Sequence, residues 1–238
     1  MTFEISLPVL LLPGLLNTER LWEYQVDTLP ERYDCDVPDL TGAETITELA
    51  EMVLANAPGR FALIGLSMGG YVALEIMRQA PDRVAGLVLC CTSARPDDEP
   101  TLKRRKALID LATRGRFRGV TPRLLPLLIA EDRLTDEAVT KPILSMAEEV
   151  GQAAFIRQQR AIMSRIDSRP SLSSIKCPTL IVSGEQDQLT PPDLQTEMSG
   201  LINGAEHVVL KDCGHLPPLE QPERLAVLFS NFLKTILR

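Results

Sequence analysis

The chain has only two histidines, His207 and His215, and five cysteines, at 35, 90, 91, 177 and 213. The cysteines are odd in number and none has metal-ligand spacing to another or to a histidine. A zinc-type centre needs clustered Cys and His side chains, so no metal is expected, and no other cofactor. Adjacent Cys90 and Cys91 close an apolar run, where cysteine serves as a small buried hydrophobe. The thiols read as reduced and the protein as cytoplasmic. There is no G-x-G-x-x-G and no P-loop, so no nucleotide is expected. No apolar stretch is long enough to span a bilayer. The opening MTFEISLPVLLLPGLL is apolar, but it carries Glu4, lacks a basic start and is broken by Pro8 and Pro13, so it does not read as a secretory signal. Internal repeats and low-complexity tracts are missing. Acidic side chains outnumber basic ones, 32 to 25, and the net charge of -7 argues against nucleic acid as a partner.

What is present is the composition of a globular protein, 45% hydrophobic and 24% charged over 238 residues, a length that suits one large α/β domain. Short, continuous apolar runs recur at 8–12, 61–66, 84–91, 179–184 and 207–210, with a weaker candidate at 33–40. Continuous rather than alternating runs suit strands buried on both faces of a mostly parallel sheet. Helical patterns fill 18–29, 45–56, 68–80 and 222–236, the last opened by Pro222. Strand alternating with helix predicts a doubly wound α/β fold with helices on both faces.

The alternation breaks between about Pro96 and Pro170, where helical patterns are punctuated by glycine and proline and no strand signal appears. This stretch holds 14 basic and 11 acidic side chains, whereas the remainder holds 11 and 21. An insertion of opposite charge, placed between two strands, is expected to cover a site at their carboxyl ends. The division is therefore a core of residues 1–95 and 171–238 and a helical cap of 96–170.

The apolar run FALIGL leads into GLSMGG, which places Ser67 in G-x-S-x-G between a strand and a helix. A serine held out on a tight strand-to-helix turn needs small neighbours two residues before and after it, because strand and helix cross closely there. Gly65 and Gly69 supply that room, and Gly70 lets the helix approach the sheet. The helix start adds positive potential around the hydroxyl.

A serine hydroxyl needs a base before it can attack. His207 heads an apolar run, whereas His215 stands in KDCGHLPPLEQPE, a loop after the last strand, and is the better candidate. The carboxylate that orients it is expected in the turn after TLIVSG, at Asp187 with Glu185 as the alternative. The order serine, acid, histidine is that of one hydrolase architecture and differs from those of chymotrypsin and subtilisin.

LLLPGLLNTERLW, LIGLSMGGYVALEIMRQAPDRVAGLVL, CPTLIVSGEQDQLTPP and GHLPPLEQPE, in that order, resemble the α/β-hydrolase superfamily, and within it the compact serine esterases with a helical cap. The resemblance spans essentially the whole chain. It implies Ser67, Asp187 and His215 as nucleophile, acid and base, hydrolysing carboxylic esters through an acyl-enzyme. It also implies an oxyanion hole from the backbone N–H groups of Leu15 and Met68. The family usually has His-Gly before the first donor; this chain has Pro13-Gly14. Leu15, Leu16, Leu124, Leu127 and Leu128 are candidates for an acyl pocket. Similarity to the carboxylesterases of biotin synthesis, which act on a pimeloyl methyl ester borne by acyl carrier protein, makes that acidic carrier a candidate partner for the basic runs KRRK (103–106) and RGRFRG (114–119). The same triad also serves lactonases, carbon–carbon bond hydrolases, pyruvate-eliminating lyases and perhydrolases. A non-catalytic ligand-binding role on this fold is the alternative of another kind.

Overall fold

The computed structural model describes residues 7–237. Six strands form one sheet: β1 (Leu7–Leu12), β2 (Tyr33–Asp36), β3 (Phe61–Leu66), β4 (Val84–Cys90), β5 (Thr179–Gly184) and β6 (Glu206–Leu210). Their spatial order is β2-β1-β3-β4-β5-β6, and every neighbouring pair is parallel. Among the described residues the helices are α1 (Glu23–Thr28), α2 (Ile46–Asn56), α3 (Met68–Gln79), α4 (Glu99–Leu111), α5 (Leu125–Leu128), α6 (Glu137–Ser164), α7 (Arg169–Leu172), α8 (Pro192–Leu201), α9 (Pro217–Glu220) and α10 (Pro222–Ile236).

The continuous apolar runs follow from burial on both sides. Every residue of β3, β4 and β5 is buried. Side chains alternate across the sheet, so Leu10, Leu12 and Leu63 pack with α2 and α3 on one face. Val9, Leu11, Ala62 and Ile64 pack with Trp22 and with Phe229 and Leu233 of α10 on the other. Trp22 and Phe229 are fully buried with their rings tilted at 6.0 Å, and each such burial contributes about 2–3 kcal/mol.

Three expected elements differ. Residues 207–210 do form a strand, but β6 is half exposed because it pairs on one side only and is the sheet's edge. The expected strand 33–40 stops at Asp36, two residues before Pro38, which has no N–H to extend the ladder. The helical pattern at 18–29 is a short 3-10 turn over Glu19–Trp22 followed by α1. Residues 1–6 and Arg238, which the sequence assigns to the core segments, lie outside the described residues.

From β1 the chain crosses to β2 on one side and then to β3 on the other. The carboxyl ends of β1 and β3 thus flank the point where strand order reverses, the position at which open α/β sheets hold their ligands. Leu15 and Ser67 follow those two strands.

Helices α4 to α7 all fall between β4 and β5 in sequence. The two ends of this insertion are tied to one another. Asp97, at its start, bonds Arg165, at its end, and Arg105 of α4, both at 2.6 Å. Ser168 N donates to Ala94 O at 2.9 Å. Asp97 is buried, which raises its carboxyl pKa, but the two guanidinium groups more than offset that and hold it below the ordinary value. Helix α6 is broken at Gly151, whose φ of 71° is left-handed and open to glycine without strain.

Candidate active site

Ser67 has φ 53° and ψ -113°, a backbone state that L side chains rarely adopt. Its surroundings hold it there. Ser67 N donates to Cys90 O at 3.0 Å, and Ser67 O accepts the N–H of Gly70 at 2.9 Å and the hydroxyl of Thr92 at 2.8 Å. A methyl group on Gly69 would overlap the carbonyl oxygen of Leu12 and come within 2.7 Å of that of Pro13. One on Gly65 would lie 2.5 Å from Gly69 O, and one on Gly70 would strike the Thr92 side chain. The glycine spacing read from the sequence is thus a set of backbone contacts between the end of β1, the end of β3 and the start of α3.

Ser67 is half-buried, and among the described residues no hydrogen bond occupies its hydroxyl. Such bonds to a catalytic base often tighten only when substrate is present.

Asp187 and His215 lie on the loops after β5 and β6, both buried, with Asp187 Oδ2 2.8 Å from His215 Nδ1. Asp187 Oδ1 accepts the N–H groups of Leu189 and Thr190 at 2.9 and 3.0 Å, and Oδ2 also accepts the Thr190 hydroxyl at 2.7 Å. Burial raises the carboxyl pKa, but the facing His215 and these donors outweigh it and leave it below the ordinary value. An ionised Asp187 only accepts, so His215 carries its proton on Nδ1 and leaves Nε2 free.

The histidine loop is fixed from below. His215 N donates to Leu128 O at 2.9 Å. Glu220, buried at the end of α9, accepts the N–H groups of Ala130 and Gly214 on Oε2 at 2.8 Å each, and that of Leu216 on Oε1 at 3.0 Å. Burial raises its pKa, although those three donors and His215 pull the other way.

Gln195 of α8 braces the two halves. Its Nε2 donates to Thr92 O at 2.7 Å and to Thr190 O at 3.2 Å. Thr92 holds the serine turn and Thr190 holds Asp187, so one buried amide spans both.

The alternatives left open by the sequence are placed elsewhere. His207 Nε2 pairs with Ser183 Oγ at 2.9 Å on the sheet, and burial lowers its pKa. Glu185 is exposed and reaches toward Asp212 N. The five thiols are free, and one of them, Cys91, lies within 4.8 Å of the Asp187 and His215 ligand atoms. Asp187 and His215 are already committed to each other, and burial keeps the Cys91 thiol far above its ordinary pKa, which favours a protonated packing residue over a ligand. Sequence spacing gave no hint of this proximity.

Neither Leu15 N nor Met68 N finds a protein acceptor among the described residues. Gly14 lies against the serine: a methyl there would stand 3.4 Å from Ser67 Cβ. Of the five leucines expected at a pocket, Leu15 and Leu128 are half-buried and Leu16 is buried against Ala112, Ala147 and Phe155 of the insertion. Leu124 and Leu127 are each 41% exposed. Thr92, Gln158, Thr190, Gln195 and Glu220 have supporting contacts that the sequence reading did not assign. Only Thr190 and Glu220 carried a signal, since both stand inside the acid and histidine loop motifs.

A family model described as "Alpha/beta hydrolase family" matches residues 9–228. A pimeloyl-[acyl-carrier protein] methyl ester esterase from Nitrosomonas europaea is 26% identical over 237 residues, covering 93% of this chain and 93% of the relative. Among solved structures, a thermophilic esterase from Thermogutta terrifontis, malate bound, is 30% identical with a TM-score of 0.88, covering 97% of this chain and 90% of the other. An enol-lactonase from Burkholderia xenovorans, 24% identical with a TM-score of 0.82 over 96% of this chain and 92% of its own, shares the fold. Among the described residues no helix is long and apolar enough to cross a membrane.

Proposed function

The chain belongs to the alpha/beta hydrolase family, and on that footing we propose that it hydrolyses carboxylic esters with Ser67 as nucleophile, His215 as base and Asp187 as the orienting acid. The observation that carries this reading is the buried Asp187–His215 couple on the loops after β5 and β6, at the same carboxyl edge of the parallel sheet as the serine elbow after β3. His215 Nε2 takes the hydroxyl proton as Ser67 Oγ attacks the ester carbonyl. The negative charge that develops on the carbonyl oxygen is held by the N–H groups of Leu15 and Met68. Asp187 stabilises the imidazolium that forms. His215 then returns the proton to the departing alcohol, and the same base activates water to release the acid.

Residues 96–170 act as the cap in this reading. Leu128, whose carbonyl holds the His215 backbone, and Leu15, beside Gly14, line the acyl path. The exposed Leu124 and Leu127 form its outer rim, and Leu16 supports the path from within the insertion. The names of the esterase relatives support a finer statement: the acyl group arrives on acyl carrier protein. Lys103, Arg104, Lys106, Arg114, Arg116 and Arg118 are exposed and give that acidic carrier a cationic face. Arg105, which the sequence groups with them, is instead occupied by Asp97 and Gln159.

The test is hydrolysis of p-nitrophenyl acetate, butyrate and octanoate by the wild-type protein beside Ser67→Ala. Turnover by wild type alone is expected, with a preference among the three that measures the acyl path. Equal rates in both proteins would overturn the assignment of the nucleophile.

A further inference from the structure

The loop that presents Leu15 reads Pro13-Gly14-Leu15-Leu16, and a contact from the insertion supports it. Leu16 has a φ of 60°, a left-handed value for a branched side chain that costs energy unless the surroundings enforce it. Two contacts enforce it, and both come from the insertion. Gln158 of α6 accepts the Leu16 N–H on Oε1 at 3.1 Å. The Leu16 side chain is buried among Ala112, Ala147 and Phe155. Gln158 is itself only 1% exposed, and its Nε2 donates to Leu40 O at 3.3 Å, so its amide is oriented from both ends. Within the loop itself, among the described residues, the backbone is tied by Asn17 N to Gly14 O at 3.2 Å.

We propose that Gln158 is a positioning residue for the oxyanion hole: by fixing the Leu16 N–H from the insertion it sets the direction of the adjoining Leu15 N–H toward the reacting carbonyl. This rests on the reading of Leu15 as an oxyanion donor. It also makes that donor depend on the seating of residues 96–170, because α6 carries the amide that holds the loop. A carbonyl bound in the ground state makes little demand on this N–H. The tetrahedral intermediate makes a large one. Disturbing Gln158 should therefore lower kcat and leave KM nearly alone.

The experiment compares wild type, Gln158→Met and Gln158→Glu with p-nitrophenyl butyrate, after the active sites of each preparation have been counted by fluorophosphonate labelling run to completion. Met fills a similar volume with only a weak thioether acceptor, whereas Glu, kept neutral by burial, keeps an oxygen for the Leu16 N–H and an O–H for Leu40 O. Complete loss of one oxyanion donor costs about 100- to 1,000-fold in rate, and a donor displaced rather than removed should cost less, roughly 10- to 100-fold. Gln158→Met is expected to lose that much in kcat per counted site, with KM within about twofold and an unchanged pH profile, and Gln158→Glu is expected to recover most of the rate. Unchanged kcat per site in Gln158→Met overturns the proposal. So does a loss explained wholly by fewer counted sites, or one that appears in KM, or one that Gln158→Glu does not relieve. A wild-type protein that neither hydrolyses the ester nor takes up the label would instead contradict the hydrolase reading itself.

Discussion

Glu220 Oε2 accepts the backbone N–H of Gly214 at 2.8 Å, one residue before His215. The same oxygen takes Ala130 N, and Oε1 takes Leu216 N, so one buried carboxylate joins the insertion to the histidine loop. Glu220→Gln replaces one acceptor oxygen with a donor that faces N–H groups. A buried donor left unmatched costs about 1–3 kcal/mol. The urea midpoint of Glu220→Gln should fall accordingly, with kcat reduced as His215 loses its fixed backbone. An unchanged midpoint would contradict the clamp.

Asp187 ties the site to acid stability. Its folded pKa lies below the ordinary carboxylate value, so the ionised form stabilises the native state above that ordinary value, and the contribution is lost as pH falls through the folded pKa. Asp187→Asn should therefore be less stable than wild type at neutral pH, with the gap closing below the ordinary value of 3.8. Urea unfolding of both proteins across that range measures it. Hydrolysis by Asp187→Asn should drop by roughly 10,000-fold, because an amide oxygen or NH2 no longer enforces the productive tautomer of His215.

Gly69→Ala should fail where most glycine substitutions in a helix are mild. The added methyl meets the backbone of Leu12 and Pro13, which cannot swing aside as a side chain would. Either β1 or α3 must shift, and Ser67 lies between them. Circular dichroism and the butyrate assay should show a destabilised protein with little activity, whereas Gly59→Ala, in open space, should match wild type.

Much of this was legible in the chain. The apolar runs predicted the parallel strands because burial on both faces leaves continuous rather than alternating hydrophobicity, and β3 and β5 match to the residue. The edge strand β6 was legible as a strand but not as an edge, since partner number is a property of the sheet. At the site, Asp187 and His215 were separated from their rivals by position in their loops, and the structure brings them to 2.8 Å. Gln158 and Gln195 were not legible. Each acts through a backbone group more than 100 residues away, and a single buried glutamine in a helix has no sequence signature.

The basic run 103–106 separates in the same way. Lys103, Arg104 and Lys106 are exposed, whereas Arg105 is held by Asp97 with its side chain 17% exposed. Lys103→Ala, Arg104→Ala and Lys106→Ala combined should leave p-nitrophenyl butyrate hydrolysis unchanged and weaken hydrolysis of an acyl-carrier-borne methyl ester at low salt, seen as a raised KM. Arg105→Ala should instead lower stability by about 1–3 kcal/mol, because Asp97 loses one of its two guanidinium partners and keeps Arg165. Equal carrier-substrate kinetics in the triple variant and wild type would remove the carrier from the account.

The central claim is that Ser67 is the nucleophile activated by the Asp187–His215 pair. The most direct measurement is covalent labelling with a fluorophosphonate, followed by peptide mapping of the adduct. One adduct per chain on the peptide containing Ser67 is predicted, with labelling abolished in Ser67→Ala and slowed strongly when His215 is replaced by Ala. Labelling at another residue, or at the same rate in the His215→Ala protein, would contradict it.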